Sequence, residues 1–79
     1  MSLVVFEQVK KILVERFAIN PTHVQLSADM QKDLNMDSMD ALDLLLAVNE
    51  AFGIRIVENS LEKIHTIDDL VRCIEKNKK

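Results

Sequence analysis

Residues 33–53 read DLNMDSMDALDLLLAVNEAFG, and this stretch decides the fold. Its apolar residues recur at helical spacing from about Ser38 to Phe52, and Gly53 follows as a typical C-terminal stop. At about 100° per residue the apolar positions cover roughly 220°, which is wider than one buried stripe requires. The sequence therefore predicts a helix over residues 38–52 with apolar side chains on more than one face.

We interpret the apolar residues of this helix as two stripes. The inner stripe, expected to face the core, consists of Ala41, Leu44, Leu45, Val48 and Phe52. The second stripe, expected to be half exposed between Asp43, Asn49 and Glu50, consists of Met39, Leu42 and Leu46. Exposed apolar side chains rimmed by acids are typical of a docking surface for a basic, apolar partner patch. Periodicity alone leaves open the alternative that both stripes are core and that Asn49 finds a partner there.

Three further segments show helical patterns. An amphipathic helix is predicted over residues 4–17, before the Asn20-Pro21 pair, because a residue that precedes proline avoids the helical region. A short helix is predicted over residues 58–64. Thr66 and Asp69 form a variant capping box that opens a last helix, which continues to about residue 76. The long connection over residues 18–37 has apolar anchors, and a loop of this length is usually functional or packed by its own side chains. The anchors are Val24, Leu26, Met30 and Leu34.

The composition agrees with a single helical domain over residues 1–79. With 79 residues and 48% hydrophobic content, the chain has enough material for one core and no room for a second domain. The whole chain contains one Gly and one Pro, which disfavours strands joined by tight turns. The predicted fold class is therefore all-α, a four-helix bundle with a long first loop and a short third helix.

Charge and cysteine content limit the setting and the partners. Between Asp29 and Glu50 there are six acids and one base, Lys32, which gives this segment a net charge of −5 in a chain of net −3. Such an acidic centre repels nucleic-acid phosphates and attracts basic protein patches. No apolar run approaches the roughly 20 residues needed to cross a bilayer. Since the single Cys73 cannot form an internal disulfide, the reducing cytoplasm is the expected compartment.

Ser38 lies where the long loop meets the second helix, between Asp37 and Met39. A serine at this position is ordinarily an N-cap that accepts a backbone hydrogen bond from the first turn. The start of a helix is also a favourable place for a phosphate-bearing group, because free N–H groups and the positive end of the helix dipole lie there. Taken alone, the residue does not decide between these roles.

A wider pattern around Ser38 resembles a known family. The stretches DLNMDSMDALD (33–43) and EAFGIRI (50–56) resemble the D-L-G-x-D-S-L segment of acyl carrier proteins and the acidic helix ending in E-x-F-G-I-x-I that follows it. The similarity continues through EKI (62–64) and TIDDL (66–70). It therefore covers most of the chain beyond Asp29, whereas the first helix agrees only in length and pattern.

The resemblance implies a four-helix bundle of the acyl-carrier type that is not an enzyme. In such a bundle Ser38 receives 4′-phosphopantetheine from coenzyme A through a separate phosphopantetheinyl transferase. The thiol of this arm carries acyl groups as thioesters to fatty-acid, lipid or polyketide enzymes with basic docking patches. The residues that match the family's docking surface are Asp37, Met39, Asp40, Leu42, Asp43, Leu46 and Glu50. The expected lining of a shelter for the acyl chain is Leu44, Leu45, Val48, Phe52, Ile64 and Leu70. A monomer is expected.

Four residues depart from the family pattern. Asn35 replaces the usual glycine, and asparagine is the next most tolerant residue where a positive φ is needed. Val57 stands where many members have proline, while Asn49 and Ala51 occupy positions that are commonly acidic. We therefore expect a docking face with fewer charges, and we hypothesise a carrier that serves a dedicated pathway.

Two alternatives involve the same segment. Aminoacyl, peptidyl and D-alanyl carriers share the serine at a helix start, but their usual motif is less acidic around it. Asp33, Asn35 and Asp37 imitate the first three ligands of a calcium-binding loop. However, Ser38 and Leu44 stand where such a loop requires a glycine and a bidentate glutamate.

An enzyme is also disfavoured. His23 and His65 are distant in sequence, and neither has the neighbouring Cys or spaced His that would complete a zinc site. The sequence contains no nucleophile elbow and no phosphate loop. Each His is therefore expected at the surface or in a loop. An interaction module without a prosthetic group remains as a further alternative.

Overall fold

The computed structural model describes residues 3–77, which form three α-helices and two 3₁₀-helices. In chain order these are α1 (Leu3–Phe17), η1 (Pro21–His23), α2 (Ser38–Phe52), η2 (Glu58–Lys63) and α3 (Ile67–Asn77). Extended pairing within residues 3–77 is limited to one isolated bridge between Asp29 and Thr66. The predicted all-α fold is confirmed, with the difference that the short third helix is a 3₁₀-helix and ends at Lys63.

Helix α1 buries one side along its whole length. Val5, Val9 and Leu13 are spaced four residues apart, so they share a face, and all three are buried. The helix ends where Ala18 adopts a left-handed conformation with φ of 54°. The N–H of Ile19 then donates to the carbonyl of Leu13 over 3.3 Å. The chain turns there into the long loop.

The long loop over residues 18–37 is packed by its own side chains, as expected. Its polar residues close local turns: Asn20 caps η1 by accepting from the N–H of Thr22 over 3.0 Å. Three of the four predicted anchors are buried and Leu26 is half-buried, while Ala28 and Met36 are additional buried residues that the sequence pattern missed. The buried anchors are Val24, Met30 and Leu34.

Backbone hydrogen bonds tie this loop to the start of α3. The N–H of Met30 donates to the carbonyl of His65 over 2.9 Å, and the N–H of Ile67 donates to the carbonyl of Ala28 over 3.1 Å. Because α3 begins at Ile67, the loop and the helix start are held as one unit. Residues of this unit line a cavity together with the beginning of α2.

Helix α3 begins with the predicted capping box. The hydroxyl of Thr66 accepts from the N–H of Asp69 over 3.1 Å, and the carboxylate of Asp69 accepts from the N–H groups of Thr66 and His65 over 3.2 and 3.1 Å. The hydrogen bond from His65 is the main reason why the pKa of Asp69 lies below its ordinary value. The predicted apolar stripe is fully buried and consists of Ile67, Leu70, Val71 and Ile74.

Helix α2 lies against this core through its inner stripe. Leu44, Leu45 and Val48 are buried, and Ala41 and Phe52 are half-buried. Gly53 ends the helix in a left-handed conformation with φ of 64°, as predicted. Cys73 in α3 is partly buried, and this burial raises the pKa of its thiol. In the described part of the chain, no helix combines the length and the apolarity that crossing a membrane would take.

Candidate functional site at the start of helix α2

Asp37, not Ser38, is the N-cap of α2. Its carboxylate accepts from the N–H of Asp40 over 2.9 Å, and the carboxylate of Asp40 accepts from the N–H of Asp37 over 3.3 Å. This reciprocal pair is a capping box built from two acids. The ordinary role expected for Ser38, as the cap itself, is therefore wrong, because its neighbour fills that position. The spacing of Asp37 and Asp40 is the signal in the sequence that could have revealed it.

Ser38 is consequently the first residue of the helix, and its side chain is exposed. Its hydroxyl makes no hydrogen bond to any of the residues that the structure describes. A helix start leaves four N–H groups without intrahelical partners. The capping box satisfies those of Asp37 and Asp40, so those of Ser38 and Met39 stay free of partners within residues 3–77. An accessible hydroxyl thus lies beside two free backbone donors at the positive end of the helix dipole.

Asn35 shapes the loop that leads to this helix start. It has a φ of 59°, a left-handed conformation that asparagine tolerates better than other residues with a side chain. Directly after it, the N–H of Met36 donates to the carbonyl of Met30 over 2.9 Å. The expectation of a positive φ at this departure from the family pattern is confirmed. Asn35 therefore preserves the turn that presents Asp37 and Ser38.

A cavity of about 270 Å³ opens beside Ser38, between the long loop and η2. Its lining consists of Asp29, Met30, Gln31, Met36, Ser38, Ala41, Leu61, Glu62, Ile64 and His65. Of the six residues expected to line a shelter for an acyl chain, only Ile64 is among them. Of the other five, Leu44, Leu45, Val48 and Leu70 are buried in the core and Phe52 is half-buried. The buried thioether side chains of Met30 and Met36 take their place.

Asp29 holds the rim of this cavity. Its carboxylate accepts from the N–H groups of Gln31 and Lys32, each over 2.9 Å, while its own N–H donates to Asp33 over 2.7 Å. The hydrogen bond from Lys32 is the main cause of a pKa below the ordinary value for Asp29. The rim is therefore a closed turn with an ionised carboxylate at neutral pH.

The second stripe of α2 is half exposed, as expected. Met39 is 79% exposed and Leu46 is 59% exposed, and Leu42 is half-buried beside them. Asp43 and Glu50 are exposed and share the face of Met39 and Leu46, since all four are spaced three or four residues apart. The alternative that both stripes belong to the core is wrong. This stripe and its two acids form the outer face of α2.

Helix η2 extends the outer face across a groove. An open groove of about 340 Å³ runs between the start of α2 and η2. On one side lie Ser38, Met39 and Leu42, and on the other lie Glu58, Asn59, Leu61 and Glu62. The acids Glu58 and Glu62 are exposed and were missed by the sequence analysis. Only the tertiary packing of η2 brings them next to Ser38, so no local pattern in the sequence could have revealed them.

Asn49 does not belong to the outer face. Its side-chain amide donates to the carbonyl of Ile56 over 3.1 Å and accepts from the N–H of Ile56 over 2.9 Å. A carboxylate at this position would accept from the N–H but could not donate to the carbonyl. The Asn49 amide is therefore engaged with the backbone of Ile56, while the expectation of a docking surface with fewer charges stays a prediction. Its role is to fasten the segment after Gly53 to α2.

The residues proposed for the calcium and enzyme alternatives have other tasks or partners. Asp33 and Asp37 each use a carboxylate oxygen to accept a backbone N–H in a local turn or cap. His23 and His65 are both exposed. Within residues 3–77 no group of three or more His, Cys, Asp or Glu side chains is placed to hold a metal ion. The hydroxyl of Ser38 makes no hydrogen bond to a base in this part of the chain.

Comparison with known proteins agrees with this geometry. Residues 7–74 match the family described as "Phosphopantetheine attachment site". The acyl carrier protein of Wolinella succinogenes is 38% identical over 76 residues, which covers 96% of this chain and 100% of the relative. The acyl carrier protein of Zymomonas mobilis is 40% identical over 72 residues, covering 91% and 92%.

A solved structure shows the same architecture. The crystal structure of an acyl carrier protein from Thermotoga maritima superposes with a TM-score of 0.82 at 25% sequence identity, covering 92% of this chain and 85% of that one. Such proteins are carriers and not catalysts, and they work with the enzymes of acyl pathways. The relatives favour an acyl over an aminoacyl, peptidyl or D-alanyl cargo. With its phosphopantetheine cofactor and its helical bundle, the chain belongs to the acyl carrier protein family.

Proposed function

We propose that the hydroxyl of Ser38 is the attachment point of 4′-phosphopantetheine and that a phosphopantetheinyl transferase adds the arm from coenzyme A. The observation that carries this proposal is the position of Ser38: exposed, first in α2, and beside two free backbone N–H groups. Two free donors and the helix dipole suit the phosphate of the arm. When bound, the arm supplies a thiol that holds an acyl group as a thioester.

The chain's own residues hold Ser38 in place but do not activate it. The capping box of Asp37 and Asp40 fixes the first turn of α2, so the hydroxyl has a defined direction. To form a phosphodiester bond, the Ser38 oxygen must lose its proton to a base and attack the phosphorus atom that carries the pantetheine. The pyrophosphate linkage of coenzyme A then breaks, and adenosine 3′,5′-bisphosphate leaves. Neither carboxylate of the capping box hydrogen-bonds this hydroxyl, and each is engaged with a backbone N–H. We therefore assign the base to the transferase and treat the chain as a carrier without catalytic activity.

The outer face of α2 is the proposed docking surface for the transferase and for acyl-transferring and acyl-modifying enzymes. It joins exposed apolar side chains to carboxylates, which favours partners with a basic and apolar patch. The proposed residues are Asp37, Met39, Asp40, Leu42, Asp43, Leu46 and Glu50. Glu58 and Glu62 extend this surface across the groove beside Ser38. Nucleic acid is not a proposed partner because its phosphates would meet the same carboxylates.

The cavity beside Ser38 is the proposed shelter for the acyl chain. Its volume of about 270 Å³ exceeds the roughly 150 Å³ that suffices for benzene in an engineered apolar cavity. The side chains of Met30 and Met36 are unbranched and flexible, so they can shift around a chain of variable shape. Fatty-acid, lipid and polyketide intermediates are the cargo classes that the apolar part of the lining suits, which consists of Met30, Met36, Ala41, Leu61 and Ile64.

We further propose that residues 1–79 act as one monomeric carrier domain in the cytoplasm. The family match over residues 7–74 and the single core to which α1, α2, η2 and α3 contribute support one domain. The arm must keep its thiol reduced to accept acyl groups, which a reducing compartment ensures. Whether the carrier serves a dedicated pathway is decided by comparing general fatty-acid synthases with other synthases as users of the loaded protein.

The test is the intact mass of the purified chain after incubation with coenzyme A and a broad-specificity phosphopantetheinyl transferase. We expect a gain of one phosphopantetheine group per chain. Ser38→Ala should show no gain, while Ser27→Ala, which removes another exposed hydroxyl from the same chain, should gain the group normally. An unchanged wild-type mass, or a full gain in Ser38→Ala, would overturn the proposal.

A further inference from the structure

One carboxylate of the outer face already has a partner within the chain. A guanidinium nitrogen of Arg16, near the end of α1, lies 4.0 Å from a carboxylate oxygen of Asp43 on α2. The other ion pair in the described part of the chain, Arg72 with Asp68, lies within α3. Arg16 and Asp43 therefore form the one ion pair that joins two helices within residues 3–77.

Asp43 lies in the middle of the proposed docking surface. It follows Met39 by four residues and precedes Leu46 by three, so the three side chains share one face of α2. A basic side chain of a docked partner that approached this face would meet Asp43 between two exposed apolar residues. In the free carrier it would also meet the positive charge of Arg16 at the same place.

The pair is loose enough to open. Both side chains are about half exposed, at 54% for Arg16 and 55% for Asp43. Ion pairs between exposed side chains contribute little stability, because water screens the charges and ordering two long side chains has an entropic cost. A partner cation can therefore displace Arg16 at little cost in folding stability. The charge of Arg16 still acts on an approaching basic surface over several ångströms.

We propose that Arg16 is a specificity-determining residue of the carrier, which masks Asp43 in the free protein and is displaced when a strongly basic partner docks. This inference rests on the proposed docking role of the outer face of α2. Its consequence is that the affinity of a partner for the carrier depends on how well the partner's own cation competes with Arg16 for Asp43. A weakly basic surface gains nothing from Asp43, whereas a strongly basic one gains a full carboxylate contact.

The experiment compares four variants as substrates of a broad-specificity phosphopantetheinyl transferase. Arg16→Gln removes the masking charge. Lys11→Gln is the matched control, since it removes the same charge from an exposed position of α1 that has no ion pair in the described structure. Asp43→Asn and the double variant Arg16→Gln/Asp43→Asn complete a double-mutant cycle. The measured quantity is kcat/KM with coenzyme A at low and at moderate salt, with thermal unfolding to verify that each variant is folded.

We expect Arg16→Gln to raise kcat/KM about two- to five-fold at low salt, with a smaller gain at moderate salt and a smaller gain for Lys11→Gln. Asp43→Asn should lower kcat/KM. In the Asp43→Asn background, the change Arg16→Gln should give no more than the gain of Lys11→Gln, because there is no carboxylate left to unmask.

Three outcomes would overturn the inference, and they differ in what they leave standing. Equal gains in kcat/KM for Arg16→Gln and Lys11→Gln would show that Arg16 acts only through long-range charge and does not mask Asp43. A loss of kcat/KM in Arg16→Gln would show that Arg16 itself contacts the partner. No change in Asp43→Asn would remove Asp43 from the docking surface, and with it this inference, while the attachment of the arm to Ser38 would be unaffected.

Discussion

Helices α2 and α3 both begin with a capping box, but they differ in how much of their apolar surface is exposed. Each starts with a capping box, formed by Asp37 and Asp40 in α2 and by Thr66 and Asp69 in α3. The apolar stripe of α3 is then entirely buried. In α2 the inner stripe is buried at Leu44, Leu45 and Val48, but Met39 at 79% and Leu46 at 59% remain exposed.

The difference teaches which apolar residues serve the fold and which serve a partner. A helix at the edge of a small bundle can bury about one stripe, and α3 carries no more than that. Helix α2 carries a second stripe, and exposing it to water brings no benefit to folding. This second apolar stripe lies beside Ser38 and among carboxylates. We therefore attribute the inner stripe of α2, like α3, to stability and its outer face to recognition.

The largest expected effect separates two adjacent leucines of α2. Leu45→Ala should lower the free energy of unfolding by about 3 kcal/mol, since Leu45 is 2% exposed and its removal leaves a cavity. Leu46→Ala should change it by less than about 0.5 kcal/mol. For kcat/KM of the folded protein with the transferase the order reverses, with a loss of about five-fold or more for Leu46→Ala alone. Urea denaturation and transferase kinetics measure the two quantities.

Similar losses of stability in both leucine variants would break the comparison, because Leu46 would then belong to the core. An unchanged kcat/KM in Leu46→Ala would keep the comparison for stability but remove Leu46 from the docking surface.

The next effect concerns the end of α2. Asn49→Ala should lower the free energy of unfolding by about 1 to 2 kcal/mol, because the N–H and the carbonyl of the buried Ile56 both lose their partner. Asn49→Asp retains one of the two hydrogen bonds and should also be destabilised. Ala51→Asp, which places the same acid on an exposed residue two positions on, is the control and should have little effect. If Asn49→Asp were as stable as the wild type, the clamp on Ile56 would have no structural value.

A smaller effect distinguishes the start of α3 through pH. Because the pKa of Asp69 is lower in the folded than in the unfolded chain, its contribution to stability is present above about pH 4 and is lost as the pH falls through the folded pKa. Asp69→Asn removes this titration, so its free energy of unfolding should fall less steeply below pH 4. Urea denaturation at several pH values checks this. Some dependence should remain because the pKa of Asp29 is also lowered. If the free energy of unfolding of Asp69→Asn fell as steeply below pH 4 as that of the wild type, the lowered pKa of Asp69 would not be a source of the pH dependence.

The smallest effect compares the ends of α1 and α2. Gly53 ends α2 in the left-handed conformation, whereas Ala18 adopts the same conformation after α1 with a φ of 54°. A side chain is strained there, so Ala18→Gly should raise the free energy of unfolding by about 0.5 to 1 kcal/mol. Gly53→Ala is the mirror control and should lower it. Thermal or urea unfolding decides, and destabilisation by Ala18→Gly would show that the strain at Ala18 is relieved by other means.

Local patterns in the sequence predicted most of the fold. Helical spacing located α1, α2 and α3, and the Thr66 and Asp69 pair marked the start of α3, because these features depend on neighbours in the chain. The position of Ser38 at a helix start was predicted for the same reason. The N-cap of α2 is Asp37, one residue before the serine that ordinarily fills this role. Serine and aspartate are about equally good N-caps, and only the position of Asp40, three residues after Asp37, indicates which of the two caps the helix.

Contacts between distant segments could not be predicted in this way. Three features arise only when the chain is packed. They are the hydrogen bonds of Asn49 to Ile56, the cavity lined by Met30 and Met36, and the groove that brings Glu58 and Glu62 beside Ser38. Each involves side chains that a helical pattern classifies only as polar or apolar. The resemblance to acyl carrier proteins supplied the proposed role of Ser38, and of the six residues that it suggested for the acyl shelter only Ile64 lines the cavity beside Ser38.

The most direct test of the central claim is to locate the modification on the wild-type chain. After reaction with coenzyme A and the transferase, the protein is cleaved and its peptides are sequenced by fragmentation mass spectrometry. Our account predicts that the added phosphopantetheine is found on Ser38 and on no other hydroxyl. A modification at Ser27, Ser60 or a threonine, with Ser38 unmodified, would contradict it.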